Sequence, residues 1–134
     1  MKIEINNRTK SKIDLKLVKL VAAEFARANK IKPKEISIAF VGDEEIKKIN
    51  FKYRGLDKVT DILSFSGDGD YFGEIVIDYD QIKRQAVDFK NSIHKELVFI
   101  LVHGLLHLLG YSDETEEERK KMIKTGEEFI KNYL

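Results

Sequence analysis

Apolar residues recur along this chain with two different periods, and the switches between them mark its elements. Lys2 to Asn6 alternates polar and apolar and predicts a short strand, whereas Ile13, Leu17, Leu20, Val21 and Phe25 fall at helical spacing up to Asn29. After Pro33, the residues Ile36, Ile38 and Phe40 form one face of an alternating strand, and Asp43 with Glu44 opens a short helix running through Ile49. Phe51 to Lys58 keeps no regular period and is read as irregular. Thr60 to Phe65 and Phe72 to Ile77 predict two strands, joined as a hairpin through the Gly67-Asp-Gly-Asp turn. Tyr79 to Lys90 is amphipathic. Ser92 then caps a long helix to Leu109, which is apolar nearly all round in its second half and hence central. A charged helix from Glu114 to Tyr133 packs through Met122, Ile123, Phe129 and Ile130. The mixture predicts one α+β (mixed α/β) domain over residues 1–134, with the long helix against the sheet.

Composition narrows the chemistry. The 134 residues suffice for a real core, and they include no cysteine, so disulfides, thiolate catalysis and Cys-type zinc sites are excluded. Any metal must be held by His, Asp or Glu. The amino-terminal segment is polar, with no signal pattern, and the longest apolar run, Leu97 to Leu109, is too short for a bilayer and carries two histidines. These features predict a soluble cytoplasmic protein with no membrane partner. The net charge of +1 conceals an asymmetry: residues 1–60 hold 15 Lys/Arg against 8 Asp/Glu, whereas residues 61–134 hold 9 against 15. A basic amino-terminal half is compatible with a phosphate backbone, but Lys10, Lys12, Lys16 and Lys19 are equally well read as a solvated helix face.

Inside the apolar run stand His103 and His107. Four residues apart on a helix, two imidazoles lie roughly 40° apart around the axis and about 6 Å apart along it, so both can approach one ion. An unpartnered imidazole in apolar surroundings costs roughly 1–3 kcal/mol, and coordination removes that cost. Asp113, beyond the helix-ending Gly110, completes His-x3-His-x5-Asp, with an open fourth position suited to catalysis. Ser112 or Asp113 followed by Glu116 also fits a helix N-cap, so ligand and cap both suit Asp113. His94 lies about 180° around the helix from His103 and is read as a surface or packing residue.

The wider pattern names a family. His-Gly-Leu-Leu-His-Leu-Leu-Gly-Tyr at 103–111 resembles the signature of the YbeY family of ribosomal RNA maturation factors. Ile49-Asn-Phe-Lys-Tyr-Arg-Gly-Leu-Asp-Lys-Val-Thr-Asp-Ile-Leu-Ser-Phe65 resembles its Leu-Asn-x3-Arg-x5-Thr-Asp-Val-Leu-Ser-Phe block, and Gly73-Glu-Ile-Val-Ile77 its following strand. The resemblance implies a small, mostly parallel sheet packed with helices in a metalloprotease-like arrangement, with a central metal-bearing helix. It further implies a zinc-dependent single-strand endoribonuclease acting in 3′-end maturation of small-subunit (16S) ribosomal RNA and in ribosome quality control. A small-subunit ribosomal protein and an Era-like GTPase are the implied protein partners. The family's metal ligands fall on His103, His107 and Asp113, its arginine on Arg54, and Thr60 and Ser64 lie in the block expected to meet substrate.

One position departs from the family pattern: most members carry Gly-Tyr-Asp-His, whereas this chain reads Gly-Tyr-Ser-Asp. Two neutral imidazoles and a carboxylate leave a zinc site with formal charge near +1 instead of +2, which acidifies a bound water less and eases acceptance of other divalent ions. Gly104 stands where His-Glu-x2-His proteases carry their general base, which ranks peptide hydrolysis below RNA cleavage. A metal-stabilised ribosome-assembly module without catalysis is the remaining alternative. Arg54 fits either a phosphate-binding role or an ion pair with Asp57 or Asp61. Thr60, Asp61 and Ser64 equally suit loop-ordering roles, and Tyr111 a place in the turn after the helix. Phe51, Tyr53 and Phe65 suit base stacking, with core packing the stronger reading for Phe65.

Overall fold

The computed structural model describes all residues 1–134. Strand β1 (Lys2–Asn7) is followed by α1 (Leu15–Ala28), β2 (Glu35–Val41), α2 (Asp43–Arg54), β3 (Ile62–Ser66), β4 (Tyr71–Asp78), α3 (Tyr79–Asp88), α4 (Ile93–Leu109) and α5 (Glu116–Tyr133). The sheet runs β1-β2-β4-β3. β1 with β2 and β2 with β4 are parallel, and the β3–β4 hairpin is antiparallel, so the α+β class with a mostly parallel sheet is as expected.

Side-chain alternation divides the core between the two faces. Ile36, Ile38, Phe40, Ile75 and Ile77 face a large cluster built with α1 and α4, whereas Val41, Leu63 and Val76 meet Ile46 of α2 on the other side. Helix α4 is central because it is apolar almost all round: Leu97, Leu101, Val102, Leu105 and Leu106 are each at most 2% exposed. Its one buried charge, Glu96, accepts hydrogen bonds from Gln85 Nε2 at 3.1 Å and Asn91 Nδ2 at 3.3 Å. Burial of such a group is tolerated because its lone pairs are satisfied.

Of the boundaries that differ from the periodicity reading, two bear on the cleft. Helix α2 continues past Ile49 to Arg54, ending where Gly55 adopts φ 71° and its N–H reaches the Phe51 carbonyl at 3.0 Å. Phe51 and Tyr53 are 59% and 60% exposed, so this last turn has no buried stripe for periodicity to detect. Helix α5 starts at Glu116 rather than Glu114. Thr115 caps it, Thr115 Oγ1 accepting from Glu118 N at 3.0 Å while Glu118 Oε1 accepts from Thr115 N at 3.2 Å. Capping therefore falls to Thr115 and Glu118, leaving the Asp113 carboxylate free of that role.

A second group of carboxylates sits where β2 and β4 run into their helices. Asp78 caps α3, its Oδ1 accepting from Asp80 N at 3.1 Å and Gln81 N at 3.4 Å. Its buried Oδ2 meets no donor on the backbone or on a basic side chain and faces Asp43, whose two oxygens are held by Arg84 at 2.8 and 3.1 Å. Burial, then the hydrogen bond and charge of Asp43, push the Asp78 carboxyl up to about 7; the Arg84 guanidinium holds Asp43 down at about 2. Asp78 thus holds a proton in the folded protein that it loses near pH 4 when unfolded, so its stabilising contribution is present below pH 4 and is progressively lost as pH rises toward 7. Asp78→Asn supplies a permanent N–H donor toward Asp43 while keeping the capping oxygen. We expect the melting temperature of the variant to gain on wild type between pH 5 and pH 8; an equal gap at both pH values in thermal melts would refute the shared proton.

Candidate metal centre

The cleft beside α4 is built by three neighbouring pieces of chain. Helix α4 packs against both β3 and α5. This brings His103 and His107 to the base of an open cavity of about 800 Å³, with Arg54, Asp61, Asp113 and Arg119 around it. The close approach of α4 to β3 depends on Gly104. A Cβ at this position would collide with the Ile62 side chain and lie 3.2 Å from Ser64 Oγ.

At the carboxyl end of α4, Gly110 takes φ 112°, a left-handed conformation that favours glycine. The chain reverses there, with Tyr111 N bonded to the Leu106 carbonyl at 3.0 Å, and Asp113 returns over the preceding turn. Asp113 Oδ2 lies 3.2 Å from His107 Nε2 and 3.5 Å from His103 Nε2, and one ligand atom from each of the three residues lies within 4.8 Å of the others. Tetrahedral coordination at about 2.0–2.1 Å separates ligand atoms by roughly 3.4 Å. The two His–Asp distances suit that geometry, and the imidazole and carboxylate donors suit a divalent transition ion.

The second ring nitrogens complete the picture. His107 Nδ1 lies 3.2 Å from the Tyr111 carbonyl, an acceptor only, so this nitrogen carries the proton and Nε2 keeps its lone pair toward Asp113. Tyr111, read as part of the turn, therefore also orients a ligand-type side chain through its backbone. His103 stacks near Phe99 at 6.5 Å between ring centroids. Burial, followed by repulsion from His107, lowers its pKa despite the opposing Asp113, which favours the neutral form with an available lone pair. Each arrangement leaves an imidazole lone pair available to a cation.

The other expected residues divide. Arg54 lies on the last turn of α2 rather than in an irregular loop, and no carboxylate is within 4 Å of it; Asp57 instead pairs with Lys47 at 3.9 Å. The local ion-pair reading of Arg54 thus fails. Thr60 and Ser64 line the cleft, but Ser64 Oγ donates to the Gly104 carbonyl at 3.4 Å, which ties β3 to α4. Buried Asn50 holds the intervening loop by donating from Nδ2 to the Lys58 carbonyl at 2.9 Å. Phe65 is half-buried against the smaller core and meets Tyr53 edge-on at 5.1 Å, so packing and cleft lining coexist there. His94 faces away, 3.6 Å from Asp14. Arg119 was not among the expected site residues: it lies in a run of charges that reads as a solvated face, and nothing local distinguishes it.

Comparison with known proteins agrees with the geometry over nearly the whole chain. The family model described as Endoribonuclease YbeY matches residues 2–134. A protein of Bacillus licheniformis named Endoribonuclease YbeY is 39% identical over 132 residues, spanning 88% of this chain and 82% of its own length. Another of that name from Shouchella clausii is 35% identical over 150 residues, spanning 98% and 94%. The solution structure of TM1509 from Thermotoga maritima superposes with a TM-score of 0.61 at 30% identity, covering 97% of this chain and 93% of that one. With the family model spanning the ordered motifs and the cleft they build, this chain belongs to the YbeY endoribonuclease family.

Proposed function

We propose that this protein is a zinc-dependent, single-strand endoribonuclease that matures the 3′ end of small-subunit (16S) ribosomal RNA and serves ribosome quality control in the cytoplasm. The observation that carries the reading is the convergence of His103, His107 and Asp113 in a cleft whose rim holds Arg54 without a carboxylate partner. A divalent ion held by these three side chains supplies Lewis-acid polarisation of a phosphoryl group. The chain's own residues do the rest. The Tyr111 carbonyl keeps His107 in the tautomer that presents Nε2 to the cleft. Arg54 offers a planar array of donors to a phosphate and stabilises negative charge accumulating during displacement. Tyr53, exposed beside it, offers a face for an unstacked base, and Thr60 offers a hydroxyl at the same rim. The function includes encounters with a small-subunit ribosomal protein and an Era-like GTPase.

A second reading rests on one feature: Asp113 links α4 to the segment entering α5, so a metal there would also serve as a structural clip. In that case the protein is an assembly module without catalysis. Chelator-stripped protein separates the two when assayed on a small-subunit RNA precursor before and after zinc is restored. Cleavage lost and regained with metal, and lowered about a hundredfold in Arg54→Ala, is the expected result. Near-stoichiometric metal binding with no cleavage by folded wild type would favour the assembly module.

A further inference from the structure

The cleft has a second cation that neither the histidine motif nor the Arg54 block predicts. Arg119 projects from the early turns of α5 and lines the same cavity as His103, His107, Asp113 and Arg54. It is carried by α5, whereas Arg54 is carried by the last turn of α2, so the two arginines reach the same lining from different helices. Its own helix begins Glu116-Glu117-Glu118, yet Arg119 makes no ion pair within 4 Å: Glu116 is 3.6 Å from Lys120, and Glu118 is engaged in the capping box. Glu116, three residues before it, is the acidic residue of that run placed to face Arg119 on the helix, and it is taken by Lys120. Arg119 remains exposed and available over the cleft.

Charge gives this placement a consequence. The cavity wall carries two carboxylates, Asp61 and Asp113, and two arginines, Arg54 and Arg119. Without Arg119 the carboxylates on this lining would outnumber the arginines by one, which disfavours a polyanion; Arg119 removes that excess. We propose that Arg119 is a second phosphate-binding residue, so that a single RNA strand crosses the His103–His107–Asp113 group with one phosphate at Arg54 and another at Arg119. This rests on the ribonuclease reading and adds the path and polarity of the substrate. Arg119 is a substrate-positioning residue: it acts in binding, and Arg54 remains the arginine that stabilises the reacting phosphate.

The test measures affinity for a fluorescently labelled single-stranded oligoribonucleotide across a salt series, in metal-free protein so that nothing is cut, followed by steady-state cleavage with zinc. Each phosphate contact on a single strand contributes a slope of about 0.7 to the dependence of log K on log salt. Arg119→Ala should lower that slope by about this amount, weaken binding roughly fivefold to tenfold at low salt, and raise KM with kcat nearly unchanged. Arg119→Lys should restore most of the slope. Lys124→Ala, which removes a cation from the same helix but not from the cleft lining, should leave the slope as in wild type. If Arg119→Ala matches wild type in slope and KM while Arg54→Ala is impaired, the second phosphate position is wrong and the ribonuclease reading survives. If Lys124→Ala has the same effect as Arg119→Ala, the effect is general charge and the proposal falls. If wild type neither binds nor cleaves the RNA, the ribonuclease reading fails and the proposal fails with it.

Discussion

Replacing His107 with alanine is expected to lower RNA cleavage by about a thousandfold or more while leaving the fold in place. A metal-assisted displacement takes several kcal/mol of transition-state stabilisation from the ion, and each 1.4 kcal/mol is about tenfold in rate. His107 supplies one of only three ligand-type atoms gathered at the site, and its Nε2 is the one nearer Asp113, at 3.2 Å. The variant also leaves the Tyr111 carbonyl without its ring N–H partner, but that carbonyl stands at a partly exposed turn where water can replace the bond. Thermal stability of the metal-free variant should therefore fall by no more than about 1 kcal/mol. The gain on adding zinc should be largely lost, since a ligand at a thousand times its Kd stabilises by about 4 kcal/mol. Melting curves with and without zinc, run beside single-turnover cleavage, read both effects. Cleavage persisting at the wild-type rate in a nuclease-clean preparation of the variant would sink the assignment of His107.

Gly104→Glu, which recreates the His-Glu-x2-His pattern of zinc proteases, is expected to destabilise the protein by about 3 kcal/mol or more and to confer no peptide hydrolysis. Position 104 faces the sheet. Its missing Cβ would collide with Ile62 and lie 3.2 Å from Ser64 Oγ and 3.4 Å from Ile75 Cδ1. Overpacking of this kind costs about 1–3 kcal/mol, and a carboxylate started into the α4–β3 interface adds a desolvation cost of several kcal/mol, reduced to the extent that it takes up a proton or reaches solvent. For a domain of this size the loss corresponds to roughly 10 °C or more in Tm. The same crowding would push β3, which lines the cleft, away from His103. A melting temperature equal to wild type would show that the interface opens to accept a side chain, and protease activity would overturn the distinction drawn from Gly104. Gly104→Ala should show the packing cost without the charge and fall between the two.

Gly104 also shows where reading residues in order stops being enough. From sequence, its lack of a side chain argued against a protease because a general base is missing. The structure adds that a side chain there must displace the Ile62 side chain of β3, which lies some 40 residues earlier in the chain. Asp113 is similar. Its spacing suited a ligand and a helix cap equally, because both roles need a short carboxylate just after a turn. The choice was made by where Thr115 and Glu118 formed their reciprocal bonds, and by the left-handed Gly110 that returns Asp113 to within 3.5 Å of both histidines.

Most of the elements and the pairing of His103 with His107 were legible in the order of residues. Alternation marked β1, β2 and β4, helical spacing marked α1, α4 and α5, and the four-residue interval put two imidazoles on one face, because these patterns repeat within one or two turns of chain. The last turn of α2 escaped because Phe51 and Tyr53 are exposed there, and a helix turn that buries nothing leaves no period. The company each side chain keeps was set by tertiary packing. Arg54 stands free of Asp57, Arg119 joins the cleft from α5, and Asp78 lies beside Asp43 where two neighbouring parallel strands run into their helices. Asp43 and Asp78 are 35 residues apart and Arg54 and Arg119 are 65 apart, and strand order with the packing of α4 against β3 and α5 brings them together. Local spacing carries no information about them, because the physical interaction begins only once those surfaces meet.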